Sequence, residues 1–291
     1  MINHVGLILT TKCNLKCKYC FYNNDTYSIN NADLDLPKFY EFFDNITVKS
    51  PIDRLTITGG EPLLRKDLLT FISEISKKVR NILILTNGIL LTEQILKDIF
   101  KNNVKLGISL DSLNDSYGNK FRGKHSELLK SLQLIHSLGY ASKVTLNTTI
   151  SPNNLTDVED IVHFSEEMGF SLNLNLMDSH NLLSWDTATV DQKEQLLSII
   201  KDHYNNESNS FHYRLAKFLI SNTQYTIPNC MFSSKSIIID SDGSIVPCFH
   251  NKTIIGNIED EVDFILRNHN KFLKEHKGNF ECFRKACFAL F

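Results

Sequence analysis

Residues 5–20 read VGLILTTKCNLKCKYC, an apolar run followed at once by three cysteines, Cys13, Cys17 and Cys20. The run VGLILTT (5–11) has the length of a β-strand, so the thiols fall just beyond a strand's C-terminal end. Downstream the same rhythm repeats. The apolar runs IDRLTIT (52–58), NILILT (81–86), VKLGISL (104–110), KVTLNTTI (143–150) and SLNLNLM (171–177) are each preceded by a segment of helical period. These segments are LPKFYEFFDNI (36–46), LLRKDLLTFISEISKKV (63–79), LTEQILKDIF (91–100), ELLKSLQLIHSLG (127–139) and LTDVEDIVHFSEEMG (155–169). Short strands alternating with longer helices are the pattern of βα units that feed a parallel sheet. Gly139 and Gly169 stand where a left-handed C-cap ends a helix, and Pro37 stands in a first turn.

Right-handed crossovers place the C-terminal ends of all such strands on one side, where ligands collect in this architecture. The expected fold is therefore α/β, a partial (β/α)6 TIM-like barrel with a small C-terminal α+β unit. After Met177 the rhythm breaks: an irregular stretch leads to the helical segment DQKEQLLSIIKDHY (191–204) and to FHYRLAKFLIS (211–221). From residue 236, SIIIDSDGSIVPC reads as two short strands around an Asp-Gly turn, with a helix near Glu261 to Leu266. The expected domains are 1–225, the barrel with its connecting helices, and 226–291, a small auxiliary unit.

The chain has 291 residues, with 31 Lys and Arg against 33 Asp and Glu, a net charge of −2 that gives no argument for nucleic acid binding. The apolar run Val5 to Leu9 is too short for a signal-peptide core or a membrane span. The expectation is a cytoplasmic protein without membrane partners. Thiols stay reduced there, so clustered cysteines read as metal ligands before they read as disulfides.

Three thiolates are one too few for a structural zinc site, and the next cysteine, Cys230, lies 210 positions after Cys20. A remote zinc staple stands as the bland alternative. A cubane iron–sulfur cluster on three cysteines would leave one iron open to a cofactor or substrate.

Cys13-x3-Cys17-x2-Cys20, with the aromatic Tyr19 before the third cysteine, resembles the cluster motif of the radical S-adenosylmethionine superfamily. Gly59-Gly60-Glu61-Pro62, after the second strand, resembles the family's GGEP motif, which lies along the amino group of the bound cofactor. On physical grounds, adjacent glycines allow close backbone approach, and Glu61 could receive an ammonium. Ser109 and Asp111 look like the family positions near the ribose, although Asp111 could equally cap a helix. Arg122 resembles an arginine that meets the cofactor carboxylate. Asn87 and Asn147 are candidates to line the same pocket, Asn87 also reading as a turn residue.

The later cysteines Cys230, Cys248, Cys282 and Cys287 resemble, in the spacing around Gly243, the auxiliary-cluster extension called SPASM or, when shortened, twitch. A full SPASM unit carries seven cysteines, whereas the first motif leaves four of this chain's seven. Four thiolates saturate one cubane, so the expectation is one closed auxiliary [4Fe-4S] cluster, with zinc the alternative there. His250 is the histidine expected nearest that site; His136 and His163 read as helix-face residues, and Trp185 as packing. Asp178, directly after the sixth strand, is the candidate pocket acid or base.

The resemblance implies an enzyme that reductively cleaves S-adenosylmethionine to a 5'-deoxyadenosyl radical, fed by a flavodoxin- or ferredoxin-like electron donor. It points to modification of a ribosomally made peptide by epimerisation, dehydrogenation or crosslinking. A dehydrogenase or related enzyme acting on a sugar alcohol or another small metabolite is the rival. A non-enzymatic iron–sulfur or zinc protein is a further alternative, for which GGEP and a long βα series would serve no purpose.

Overall fold

Alternation along the first strand, β1 (His4–Thr10), sorts its side chains between two environments. Val5, Leu7 and Leu9 enter the main hydrophobic core, whereas Ile8 packs on the opposite face with Ile238 and Cys248. In a computed structural model, which describes residues 1–20, 32–176, 185, 188–203, 216, 235–249, 251 and 253–275, β1 is the hub of a nine-stranded sheet.

Five more strands follow on one side: β2 (Arg54–Gly59), β3 (Asn81–Thr86), β4 (Val104–Ser109), β5 (Val144–Ile150) and β6 (Ser171–Leu176). Each pairs in parallel with its predecessor, giving the order β6-β5-β4-β3-β2-β1 that the six βα units require. On the other side, β7 (Ser236–Ile239) pairs in parallel with β1, and β8 (Ser244–Val246) and β9 (Gly256–Asn257) continue antiparallel. The sheet is therefore mixed and continuous from the barrel into the C-terminal α+β part. The expected boundary at 225/226 lies outside the described residues.

The described α-helices are α1 (Leu36–Lys49), α2 (Leu68–Ile75), α3 (Glu93–Phe100), α4 (Asp115–Phe121), α5 (His125–Ser137), α6 (Leu155–Met168), α7 (Val190–His203) and α8 (Val262–Glu275). Asp35 caps α1 by accepting from the Lys38 N–H at 3.1 Å. Phe39, Phe42 and Phe43 of α1 and Phe71 of α2 are essentially sealed from solvent, and side chains of this size each contribute about 2–3 kcal/mol on burial. Gly139 and Gly169 hold left-handed conformations (φ 73° and 74°) at the ends of α5 and α6, as their positions in the sequence implied.

Three elements depart from the sequence reading. The segment 63–79 is not one helix, because the Glu61 side chain caps a short 3-10 turn at Pro62–Leu64 and α2 starts only at Leu68. The short α4 was not foreseen; it carries Gly118, where a Cβ would stand 2.3 Å from the His125 ring. The C-terminal helix runs on to Glu275, well past Leu266. Among the described residues no helix is long and apolar enough to cross a membrane.

At the start of β1, buried His4 bonds to Ser236 of β7 at 3.0 Å and to Thr56 of β2 at 2.9 Å, tying three strands at the barrel floor. Burial, and then the charge of Arg54, lower its pKa from 6.5 to about 4. The unfolded chain thus takes up this proton near pH 6.5 and the folded chain only near pH 4. Stability is then full above pH 6.5 and falls by up to about 3 kcal/mol as the pH drops toward 4. Urea unfolding at stepped pH should show His4→Gln to have a visibly shallower loss across this window than the wild type; equal slopes would exclude His4 as the cause.

Candidate active site

Beyond β1 the backbone of Thr10 to Lys12 crosses directly over the exit of β2. The Gly60 N–H donates to the Thr10 carbonyl at 2.7 Å and the Glu61 N–H to the Lys12 carbonyl at 2.8 Å. A Cβ on Gly59, whose φ is 145°, would stand 2.2 Å from the Thr10 oxygen, and one on Gly60 would stand 2.3 Å from the Lys12 oxygen. Both glycines are thus demanded by the chain that carries the cysteines.

Glu61 lies wholly buried beneath this crossing. Its Oε1 accepts from the Thr86 hydroxyl at 2.7 Å and the Leu63 N–H at 3.1 Å, and its Oε2 accepts from the Asn87 N–H at 2.8 Å. Burial raises its pKa, and these three donors oppose the rise. The carboxylate therefore clasps the ends of β2 and β3 together. Gly59 and Gly60 line the adjoining cavity, while Glu61 and Pro62 are buried behind that wall.

That cavity, of about 260 Å³, has Cys13, Cys17 and Cys20 along one wall. Asn87, Ser109, Asn147 and Tyr19 face it too, as do Asn175 and Thr149, two polar residues that the sequence reading did not single out. Asn147 accepts from the Asn173 side chain at 3.2 Å, so β5 and β6 present a row of carboxamides to the lumen. Strand alternation could have revealed that row, since Leu174 and Leu176 between and beyond the asparagines pack outward with Trp185.

The donor set fits an iron–sulfur cluster. Cys13, Cys17 and Cys20 are soft thiol donors on one cavity wall, and a cubane takes each thiolate at a separate iron. A buried orphan stands beside them. The Asn87 side chain accepts from the Ile89 N–H at 3.1 Å and donates to Asn14 Oδ1 at 2.8 Å, which leaves the buried Asn14 Nδ2 without a partner. A buried donor of this kind calls for an acceptor that the protein alone does not supply. In the protein by itself, burial raises the pKa of Cys13 and Cys17, against which the Leu15 N–H and the Arg122 charge pull, respectively.

Arg122 reaches the cavity from the end of α4. Its Nε donates to the Asp111 carboxylate, which also accepts from the Tyr19 hydroxyl and, at 2.7 Å, from the Thr149 N–H. The guanidinium sits 5.2 Å from the Tyr19 ring centre, a cation–π distance. Desolvation lowers the Arg122 pKa, but the charges of Asp111, Cys17 and Cys20 and the hydrogen bond to Asp111 together outweigh it and hold the group above its ordinary value. Asp111 does not line this cavity and does not cap a helix; Asn114 caps α4, accepting from the Ser116 and Tyr117 N–H groups. Asp111 instead orients Arg122 and Tyr19 around the cysteine loop.

Cys248 is buried against Ile8 and Ile238 on the lumen face of the sheet. Cys230, Cys282, Cys287, His250 and Asp178 lie outside the described residues. His136 and His163 are exposed on helix faces, and Trp185 is buried in the cluster around α6 and α7, as their sequence contexts suggested.

Family models match two segments: the Radical SAM superfamily over residues 7–165, and SPASM, an iron-sulfur cluster-binding domain, over residues 230–288. The cofactors that go with this pair are S-adenosylmethionine and two [4Fe-4S] clusters. GTP 3',8-cyclase of Aquifex aeolicus (strain VF5) is 29% identical over 204 residues, 67% of this chain and 63% of the relative. That of Alkaliphilus metalliredigens (strain QYMF) is 30% identical over 267 residues, 86% of this chain and 82% of the relative. The chain spans 55–63% of the length of the first curated relatives it matches. Crystal structures of Streptococcus suis SuiB share the fold. The form bound to S-adenosylmethionine has a TM-score of 0.73 at 16% identity over 99% of this chain and 71% of that one. The form bound to precursor peptide SuiA has a TM-score of 0.70 at 15% identity over 99% and 70%.

Removing one member of a largely buried ion pair strands the other charge. Asp111→Asn is expected to lower stability by about 3–5 kcal/mol, and Asp111→Asn combined with Arg122→Gln to lose clearly less. Urea unfolding of both variants reads this coupling directly; additive losses would show that the pair is not a unit.

Proposed function

We propose, since the chain belongs to the radical SAM superfamily, that Cys13, Cys17 and Cys20 hold a [4Fe-4S] cluster with one iron open to S-adenosylmethionine, and that the enzyme modifies a peptide. When bound and reduced by one electron, this pair of cofactors supplies a 5'-deoxyadenosyl radical that abstracts a substrate hydrogen. The observation that carries the reading is the three-thiol wall of the cavity, on a loop that also carries the buried, unpartnered amide donor of Asn14. Arg122, oriented by Asp111, offers its guanidinium to a carboxylate, and the backbone beside Gly59 and Gly60 offers close approach. Ser109 and Asn147 supply neutral polar contacts to the ribose side. Cys230, Cys248, Cys282 and Cys287 are assigned to one closed auxiliary cluster. A separate one-electron donor protein reduces the first cluster, and Asp178 remains the candidate acid or base.

The lumen favours a peptide. Apart from the cluster end it offers Thr56, Thr58, Asn147, Thr149 and Asn175, groups that match amides and hydroxyls, beside a neutral His4 whose ring nitrogens are engaged by Ser236 and Thr56. The fold shared with SuiB, crystallised with its precursor peptide, supports the same choice. A second reading, a small-molecule substrate, is favoured by the sequence likeness to GTP 3',8-cyclases. Against a nucleoside triphosphate stands the charge of the cavity: among its described lining residues Arg122 is the only permanent cation, and it is paired with Asp111.

Anaerobic iron and sulfide analysis should find about eight irons, with roughly four lost when the four later cysteines are replaced by alanine. Incubation with S-adenosylmethionine and dithionite should yield 5'-deoxyadenosine and methionine, and Cys17→Ala should yield none. Bound zinc without reductive cleavage would refute the proposal. Deuterium carried into 5'-deoxyadenosine from a peptide encoded beside the gene supports the peptide reading; transfer from GTP or a sugar alcohol instead would replace it.

A further inference from the structure

The cysteine loop has a second face. Outside the cavity lies an open groove of about 440 Å³, whose lining includes Cys13, Lys16, Lys18, Lys120 and Phe121. Cys13, Leu15 and Arg122 belong to both the groove and the inner cavity, so the loop is the partition between them. The inner side faces the barrel lumen, where the radical chemistry proposed above would take place. The outer side opens to solvent, and Cys13 is itself exposed.

The charge of that outer side is distinctive in a chain whose net charge is −2. No Asp or Glu occurs from Thr11 to Cys20 or from Ser116 to Ser126, whereas these two stretches carry six lysines and arginines. Lys16, Lys18, Lys120 and Lys124 are exposed, and among the described lining residues of the groove there is no carboxylate. The ammonium groups of Lys18 and Lys120 lie 5.7 and 5.3 Å from the Phe121 ring centre, which concentrates their charge over one spot next to the loop. Lys12 differs, because Asp33 neutralises it at 2.6 Å.

We infer that this lysine-rimmed groove is the docking surface for a small acidic one-electron carrier protein, an inference that rests on the radical enzyme proposed above. Three considerations select this occupant. A cluster ligand lies at the base of the patch, so a docked carrier stands next to the redox centre it must reduce. The partition keeps the carrier clear of the lumen, so electron delivery need not displace cofactor or substrate. Clustered lysines attract an acidic face and raise its encounter rate, the means by which charged proteins find one another quickly. A peptide awaiting hydrogen abstraction has to reach the inner side instead. In the step itself the carrier loses one electron and the cluster passes from [4Fe-4S]2+ to [4Fe-4S]+, with no atom transferred.

The test uses the reconstituted full chain, S-adenosylmethionine and a purified flavodoxin reduced to its hydroquinone, which becomes the semiquinone. In Lys16→Glu/Lys18→Glu/Lys120→Glu, the second-order rate of cluster reduction by flavodoxin should fall about 10- to 100-fold at low salt, and its decline with added salt should vanish or invert. Iron content, S-adenosylmethionine affinity and dithionite-driven formation of 5'-deoxyadenosine should stay at wild-type levels. If the triple variant loses iron, Lys120→Gln/Lys124→Gln, outside the cysteine loop, is read the same way with a drop of about 5-fold expected. Unchanged reduction by flavodoxin with intact dithionite activity overturns the docking surface. Absence of dithionite-driven cleavage in the wild type instead defeats the proposed function, so the two failures are distinguishable.

Discussion

Everything at the cysteine end of the barrel depends on one backbone crossing, where Thr10 to Lys12 pass within hydrogen-bond distance of Gly60 and Glu61. Two peptide hydrogen bonds hold the crossing, the absence of two Cβ atoms permits it, and the buried Glu61 carboxylate fixes it from below through Thr86 and Asn87. The arrangement turns three successive strand ends into one rigid frame. For the cluster proposed on its three thiols such a frame is an advantage, since ligands held by packed neighbours keep their geometry whether or not a cluster is bound.

A second frame meets the loop from the other side. Asp111, at the end of β4, gathers Arg122, Tyr19 and the backbone of Thr149, while the Phe121 carbonyl accepts from the Lys18 N–H at 2.9 Å. The cysteine loop is thus clamped between β2 and β3 on one flank and α4 on the other. Charges follow the same division. Among the described residues the lumen is neutral and rich in amides and hydroxyls, the wall holds one paired arginine, and the outer rim is cationic.

Much of the plan was legible in the sequence. The spacing of the apolar runs identified β1 to β6, the six strands of the βα series, because each leaves a short apolar or alternating run and each helix a longer periodic one. Cys13, Cys17, Cys20 and Ser109 could be assigned to one face from their place after strands. The short α4 escaped because seven residues including a glycine carry no clear period, and the break before α2 escaped because it comes from a side-chain cap, not from a helix-breaking residue inside the segment. Asn14 escaped because its significance is an unsatisfied donor, a property of its surroundings.

The sequence by itself determined the parallel βα order, the group of thiols beyond β1 and the surplus of lysines around them, since each of these follows from residue type and local spacing. Only the tertiary structure decided what those residues do to one another. It showed that Gly59 and Gly60 are required by a crossing chain, that Glu61 is a clasp between strands, that Asp111 orients Arg122, and that the cysteine loop separates a neutral lumen from a cationic rim. The reason is physical: contacts such as Asp111 with Tyr19, 92 positions apart, arise when strands are laid side by side, and no local pattern in the chain records which ends will meet.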